Sequence, residues 1–163
     1  DEAVGSAILK AFWVNNNRTF ETDPRFGLIV LSEIAARALS PGVNDSGTAI
    51  VIIGRFVRLF ARWSEPLDED EKVVEKFDRV IVPALSLADM FDDAFTPIAR
   101  DGAGAVEVGI RLQKAFAALS TIEYPGIKDE AQRHSRLALD RAKNAISLSE
   151  DFSRVEQIAQ STG

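Results

Sequence analysis

Arginines and carboxylates alternate with turn residues along the stretch 18–45, which gathers more groups able to do chemistry than the segments around it. Arg18 and Arg37 can each grip an anion through a forked guanidinium. Asp23, Asn44 and Asp45 supply acceptors, and Asn44 also a donor, that would orient such a group. Arg18, Asp23, Arg37, Asn44 and Asp45 therefore form the candidate ligand-binding set, a polar pocket for a small anionic molecule. The same residues admit a structural role. Asp23 precedes Pro24, a cap acceptor ahead of a proline whose missing N–H costs nothing in a first helical turn. Asn44 and Asp45 stand where a second helix would begin. Glu33 and Arg37 are four apart, the favourable order for an ion pair on one helix, and Arg25 adds a charge near its start. In that role the set is a network of caps and ion pairs fixing the angle between two helices. Both roles stay open, and Arg18 and Arg37 are the two residues that local structure leaves unexplained.

Three further clusters carry charge. Arg55, Arg58 and Arg62 fall at i, i+3 and i+7, one face of a hydrophobic helix. A row of guanidiniums can touch lipid headgroup phosphates, although the acids Glu65, Asp68, Glu69, Asp70 and Glu71 offer a simpler, salt-bridged arrangement. Asp89, Asp92 and Asp93 place carboxylates where a hard cation would want them. No second acidic helix matches their spacing, so a solvated face near a helix N-terminus is expected. His134, among Glu130, Arg133 and Arg136, is expected on the surface. No catalytic residue, metal or cofactor is assigned.

The bulk numbers narrow the classes. The chain has 163 residues, enough for one domain with a sizeable core, and 46% of them are hydrophobic, as in an ordinary globular protein. A net charge of −6 argues against nucleic acid as a partner. The absence of cysteine removes disulfides, thiolate zinc sites and thiol nucleophiles. A single histidine, with no Gly-x-Ser-x-Gly elbow, removes the usual hydrolase arrangement. Gly102-Ala-Gly104 is only a fragment of a phosphate-loop pattern. Uninterrupted apolar runs reach about five residues, far below the roughly 18 that span a bilayer. The chain begins at Asp1, and it reads as a piece of a longer protein.

The elements that must position these groups are helices. Leu87, Phe91, Ala94, Phe95 and Ile98 share one helical face. Val108, Leu112, Ala115, Phe116 and Leu119 repeat the spacing, as do Leu148, Phe152, Val155 and Ala159. Helices are expected over about 24–39 and 46–63, separated by the stop Ser40-Pro41-Gly42. Ser86 and Asp89 have capping-box spacing, and Asp101-Gly102 and Tyr124-Pro125-Gly126 read as turns. The segment 128–160 is one long helix or two joined near Ser147. Arg79-Val80-Ile81-Val82-Pro83 is β-branched and ends in proline, so a short edge strand or extended linker fits it better. The expected fold is all-α, a bundle of about five to seven helices with at most one short extended or β segment at Arg79–Pro83. Residues 1–163 are expected to form a single domain.

Arg18-Thr19, Asp23-Pro24, Phe26-Gly27, Ile34-Ala35, the run Arg37 to Gly42, Asn44-Asp45 and Thr48-Ala49 together resemble the signature of the DUF2254 family. The stretches Arg79 to Val82 and Asp89 to Phe95 resemble it more loosely. Ser46 departs from the pattern, which has proline after Asn-Asp, but serine also suits a first helical turn. The resemblance implies a bacterial multi-pass membrane protein of unknown function, with transmembrane helices upstream of this region. The chain would then be its soluble C-terminal domain, outside the bilayer at the cell membrane, with the cytoplasmic face preferred. The family brings no activity, so no catalytic residue carries over. The leading expectation is a non-enzymatic domain supporting assembly, oligomerisation or regulation of the membrane part. Its partners would be the upstream transmembrane segment, a second copy of the chain, and lipid headgroups through Arg55, Arg58 and Arg62. The alternative is a binding or catalytic domain for a small anionic ligand held in the Arg18–Asp45 stretch.

Overall fold

In a computed structural model, residue 5 and residues 18–20, 23–66 and 84–160 are described. They form an all-α helical bundle: α1 (Pro24–Ala38), α2 (Ser46–Trp63), α3 (Leu87–Asp101), α4 (Val106–Ser120), α5 (Ile127–Ala145) and α6 (Ser149–Gln160). No strand occurs among the described residues. The extended segment expected at Arg79–Pro83, and most of the acidic run after Glu65, lie outside them.

Each boundary has a local cause. The Asp23 side chain accepts from the Phe26 amide at 3.2 Å and Pro24 occupies the first turn, which starts α1. Asp45 accepts from the Thr48 amide at 3.1 Å and starts α2. Ser86 accepts from the Asp89 amide at 3.2 Å and starts α3. Gly126, at φ 86°, supplies the left-handed residue from which α5 departs. The chain breaks between α5 and α6 at residues 146–148, so the C-terminal segment is two helices.

Packing follows a closed circuit. α1 lies against α2, α2 against α4, α4 against α5, α5 against α3, and α3 returns to α1. The interior is aromatic. Phe56 and Phe60 come from α2, Phe91 and Phe95 from α3 and Phe116 from α4, all fully buried. Phe95 is the hub, with ring centroids 5.0 Å from Phe116, 5.4 Å from Phe91, 5.5 Å from Phe56 and 5.9 Å from Phe60. Such spacings suit tilted and edge-on aromatic packing. Leu28 and Ala35 close the circuit from α1.

The stripe expected on α6 needs correction. Of Leu148, Phe152, Val155 and Ala159, only Val155 is buried, and Leu148 is 57% exposed. The five preceding helices already enclose the core, so α6 lies outside against α4 and α5. Val155 seats over Gly109, where an added Cβ would come within 3.2 Å of its Cγ2.

Gly102 is required for space. An added Cβ would stand 2.6 Å from Val108 Cγ1 and 2.9 Å from the Ile98 carbonyl oxygen. The Gly102→Ala variant should therefore lose about 1–3 kcal/mol through overpacking. Urea unfolding checks this, and a variant as stable as the parent would show that α3 and α4 do not meet this closely.

Candidate functional site

The structure divides the Arg18–Asp45 set between the two ends of α1. Fifteen helical residues separate those ends, a distance of about 22 Å at 1.5 Å per residue. Arg18 and Asp23 stand at one end, and Arg37, Asn44 and Asp45 at the other. One small ligand does not reach both groups.

At the first end the groups satisfy one another. Arg18 Nε donates to Asp23 Oδ2 at 2.6 Å, and its guanidinium lies 5.4 Å from the Phe26 ring centroid. The same carboxylate caps α1 through Oδ1. The Arg18 hydrogen bond, with the Phe26 amide assisting, holds the Asp23 carboxyl below its ordinary pKa. The pair is largely exposed, so it orients the chain entering α1 more than it stabilises the fold. Arg25 turns elsewhere. It donates to Asp93 and to Asp89 on α3, each at 2.7 Å.

At the second end Asp45 serves two helices. Its backbone N–H donates to the Ala38 carbonyl at 2.8 Å, satisfying an acceptor at the end of α1. Its side chain accepts from the Thr48 amide and from the Thr48 hydroxyl at 2.5 Å, capping α2. These bonds lower its pKa, the Thr48 hydroxyl most. Asn44 takes a left-handed conformation at φ 51°, which asparagine tolerates better than most residues. The Ser40 hydroxyl donates to the Arg37 carbonyl at 2.7 Å. Ser46 donates to Glu107 of α4 at 2.7 Å, a bond that proline at this position would lack. Arg37 is exposed, and among the described residues neither it nor Glu33 has an ion-pair partner, so the pair expected from their spacing is not formed. Arg37 remains a favourable charge at the C-terminal end of α1. Beside Asp45 a groove of about 570 Å³ runs between α1 and α2, bordered by Leu31, Ile34, Thr48, Val51 and Arg55.

The more enclosed polar constellation lies between α1, α3 and α5. Asp92 accepts from Arg133 at 2.9 Å, and Arg133 also donates to Glu130 at 2.7 Å. Asp89 and Asp92 are exposed, as expected for a solvated face, and Asp93 is half-buried; with Arg25 on Asp89 and Asp93 the three acids also tie three helices together. His134 is 1% exposed, which corrects the expected surface position. Its ring packs 5.6 Å from Phe91 and 6.1 Å from Phe116, with Nε2 3.2 Å from Asp92 Oδ1 and 3.0 Å from Arg133 Nη2. Burial, reinforced by the Arg133 charge, lowers its pKa to about 4, so the imidazole is neutral near pH 7. A cleft of about 580 Å³ opens here, lined by Ser32, Asp92, Thr96, Arg133 and Arg141 among others. Within it Ser32 Oγ and Arg141 Nη1 are buried without a hydrogen-bond partner among the described residues. A signal for His134 was present: Ile127, Ala131, His134, Ser135, Ala138 and Ala142 form one helical stripe, disguised by small side chains. Ser135 and Gln113 extend this buried polarity, the hydroxyl donating to Gln113 Oε1 at 2.6 Å.

The family model described as a predicted membrane protein (DUF2254) matches residues 1–118. The chain belongs to the DUF2254 family. The match covers α1, α2, α3 and nearly all of α4, and with them both ends of the Arg18–Asp45 stretch. α5, with Arg133, His134 and Arg141, lies beyond it. No curated protein and no solved structure matches the chain. Among the described residues of this DUF2254 member, no helix is long and apolar enough to cross a membrane.

Proposed function

We propose that this chain is a non-enzymatic helical domain of a membrane protein, supporting the assembly, oligomerisation or regulation of the membrane part. The observation that carries the reading is the double role of Asp45. One residue closes the end of α1 through its backbone and opens α2 through its side chain. The polar groups of the Arg18–Asp45 stretch thereby act as caps and as a tie, and the stretch serves as a hinge of fixed angle.

The hinge presents apolar surface. Ile34 and Val51, both about half exposed, line the groove beside Asp45. Apolar groups gathered at such a place suit contact with another protein segment. The occupant under this reading is the membrane part of the same protein, with a second copy as the other outcome of the test.

The stability arm of that test is simple. Asp45→Ala leaves the Thr48 amide without its cap acceptor, and the melting temperature should fall by a few degrees. Arg37→Ala should leave the melting temperature nearly unchanged, because among the described residues Arg37 has no side-chain partner to lose. Equal melting of the Asp45 variant and the parent would remove the support for a structural hinge.

A further inference from the structure

α2 is unlike the rest of the chain in charge. The protein carries a net −6, yet the 18 residues of α2 hold three arginines and no acid. Arg55, Arg58 and Arg62 all reach solvent. Arg62 is engaged by Glu65. Among the described residues, Arg55 and Arg58 have no acidic partner.

A fourth arginine joins them from α4. A Cβ added to Gly54 would stand 2.7 Å from Arg111 Nη2 and 3.8 Å from Arg58 Nη1. The missing side chain of Gly54 is what lets the Arg111 guanidinium lie on α2, and Arg58, one turn along, converges on the same point. Among the described residues, Arg111 Nε is buried without a hydrogen-bond partner, and no acid pairs with Arg111. Two guanidiniums facing one point repel each other, and an anion lying between them would turn that repulsion into attraction. A phosphate, with several acceptor oxygens, matches two forked donors.

The surroundings choose among phosphates. Leu59, more than a third exposed, lies one turn after Arg55 on the same side of α2. Exposed arginine with an apolar neighbour on one helix face suits a surface lying at a lipid headgroup layer. We infer that the α2 face built by Arg58 and Arg111 over Gly54, with Arg55 and Leu59 beside it, binds the phosphates of anionic lipids. The acidic remainder of the chain opposes this only weakly, because salt screens charges more than about 10 Å apart. The inference rests on membership of a membrane-protein family and on this face. It does not need the hinge at Asp45.

Vesicle flotation of the 163-residue chain tests it, with phosphatidylglycerol vesicles compared with phosphatidylcholine vesicles at low and high salt. The expected result is binding to phosphatidylglycerol that high salt weakens. The Arg58→Gln/Arg111→Gln variant should lose on the order of thirty-fold in affinity. The Arg37→Gln/Arg136→Gln variant, equal in net charge, should bind like the parent. The variant Arg55→Gln/Arg58→Gln changes exposed side chains only and should also weaken binding, whether or not the Arg111 variant folds. The inference is overturned by equal binding to the two lipids, by undiminished binding of the arginine variants, or by an equal loss in the control. A melting shift with inorganic phosphate, without vesicle binding, overturns the lipid assignment as well. The Asp45→Ala variant should float with the vesicles as the parent does, so failure of the hinge and failure of the lipid face are separately visible.

Discussion

Phe95→Ala is expected to destabilise the protein by about 3–5 kcal/mol, the range for emptying a fully buried aromatic site. Phe95 is wholly buried, and its ring touches the packing shell of Phe56, Phe60, Phe91 and Phe116 together. Those rings come from α2, α3 and α4, so a cavity there loosens three helices at once. The neighbours are themselves rigid aromatics that can collapse only partly into the space, which places the cost toward the upper part of the range. Phe95→Leu, which keeps most of the volume, should cost much less. Urea unfolding of both variants checks the pair. Similar small losses for the two would mean that Phe95 is not the centre of the core.

The second large effect is a dependence of stability on pH. The folded state holds His134 neutral, with its pKa lowered from 6.5 to about 4. In the unfolded chain the imidazole takes a proton as the pH falls through 6.5, while the folded chain refuses it until about 4. The unfolded state therefore binds more protons in this window, and stability falls as the pH drops. Integrated over the window, the loss approaches about 3 kcal/mol. Burial is the larger cause and the Arg133 charge the next, opposed by Asp92 and Glu130. Asp23, Asp45 and Glu107, whose pKa values are lowered by their partners, contribute stability that is lost only as the pH falls through the carboxylate range. Between pH 6 and 5 the slope belongs mainly to His134. Urea unfolding at stepped pH should show it in the parent and show it flattened in His134→Leu. A parent whose stability is level from pH 7 to 5 would contradict the buried neutral imidazole.

These two residues also mark how far the sequence could be followed. Phe95 was legible because its stripe from Leu87 to Ile98 has bulky apolar residues at helical spacing, and periodicity alone turns that face inward. The ends of α1 and the start of α2 were legible for a similar reason. Asp23-Pro24, Ser40-Pro41-Gly42 and Asn44-Asp45 are local signals, and the bounds of α1 and α2 follow from them. His134 was hidden because its burial depends on three aromatic rings from α3 and α4 and on Arg133 and Asp92, 41 residues apart in the chain. No local pattern encodes that meeting. The α6 stripe erred in the opposite direction: its spacing is helical, but the enclosed core has no room left for it. The charge pairs show the same division. Glu33 and Arg37 have ideal spacing and do not pair, whereas Arg25 reaches Asp89 and Asp93 across more than sixty residues because α1 packs on α3. Arg111 became part of the α2 face only through Gly54, a close approach that neither helix announces by itself.

Under the proposed function the Arg18–Asp45 stretch is a hinge with a surface. Its carboxylates serve as caps, its Arg18 is tied to Asp23, and its Arg37 is exposed at the end of α1. The decisive measurement is the oligomeric state of the intact membrane protein in lipid nanodiscs or detergent, by light scattering, for the parent, Asp45→Ala and Arg37→Ala. A domain that supports assembly through a fixed α1–α2 angle predicts that Asp45→Ala weakens or abolishes the parent assembly. Arg37→Ala should weaken it only if the exposed arginine lies in the contact. Unchanged assembly and unchanged melting in both variants would contradict the proposal.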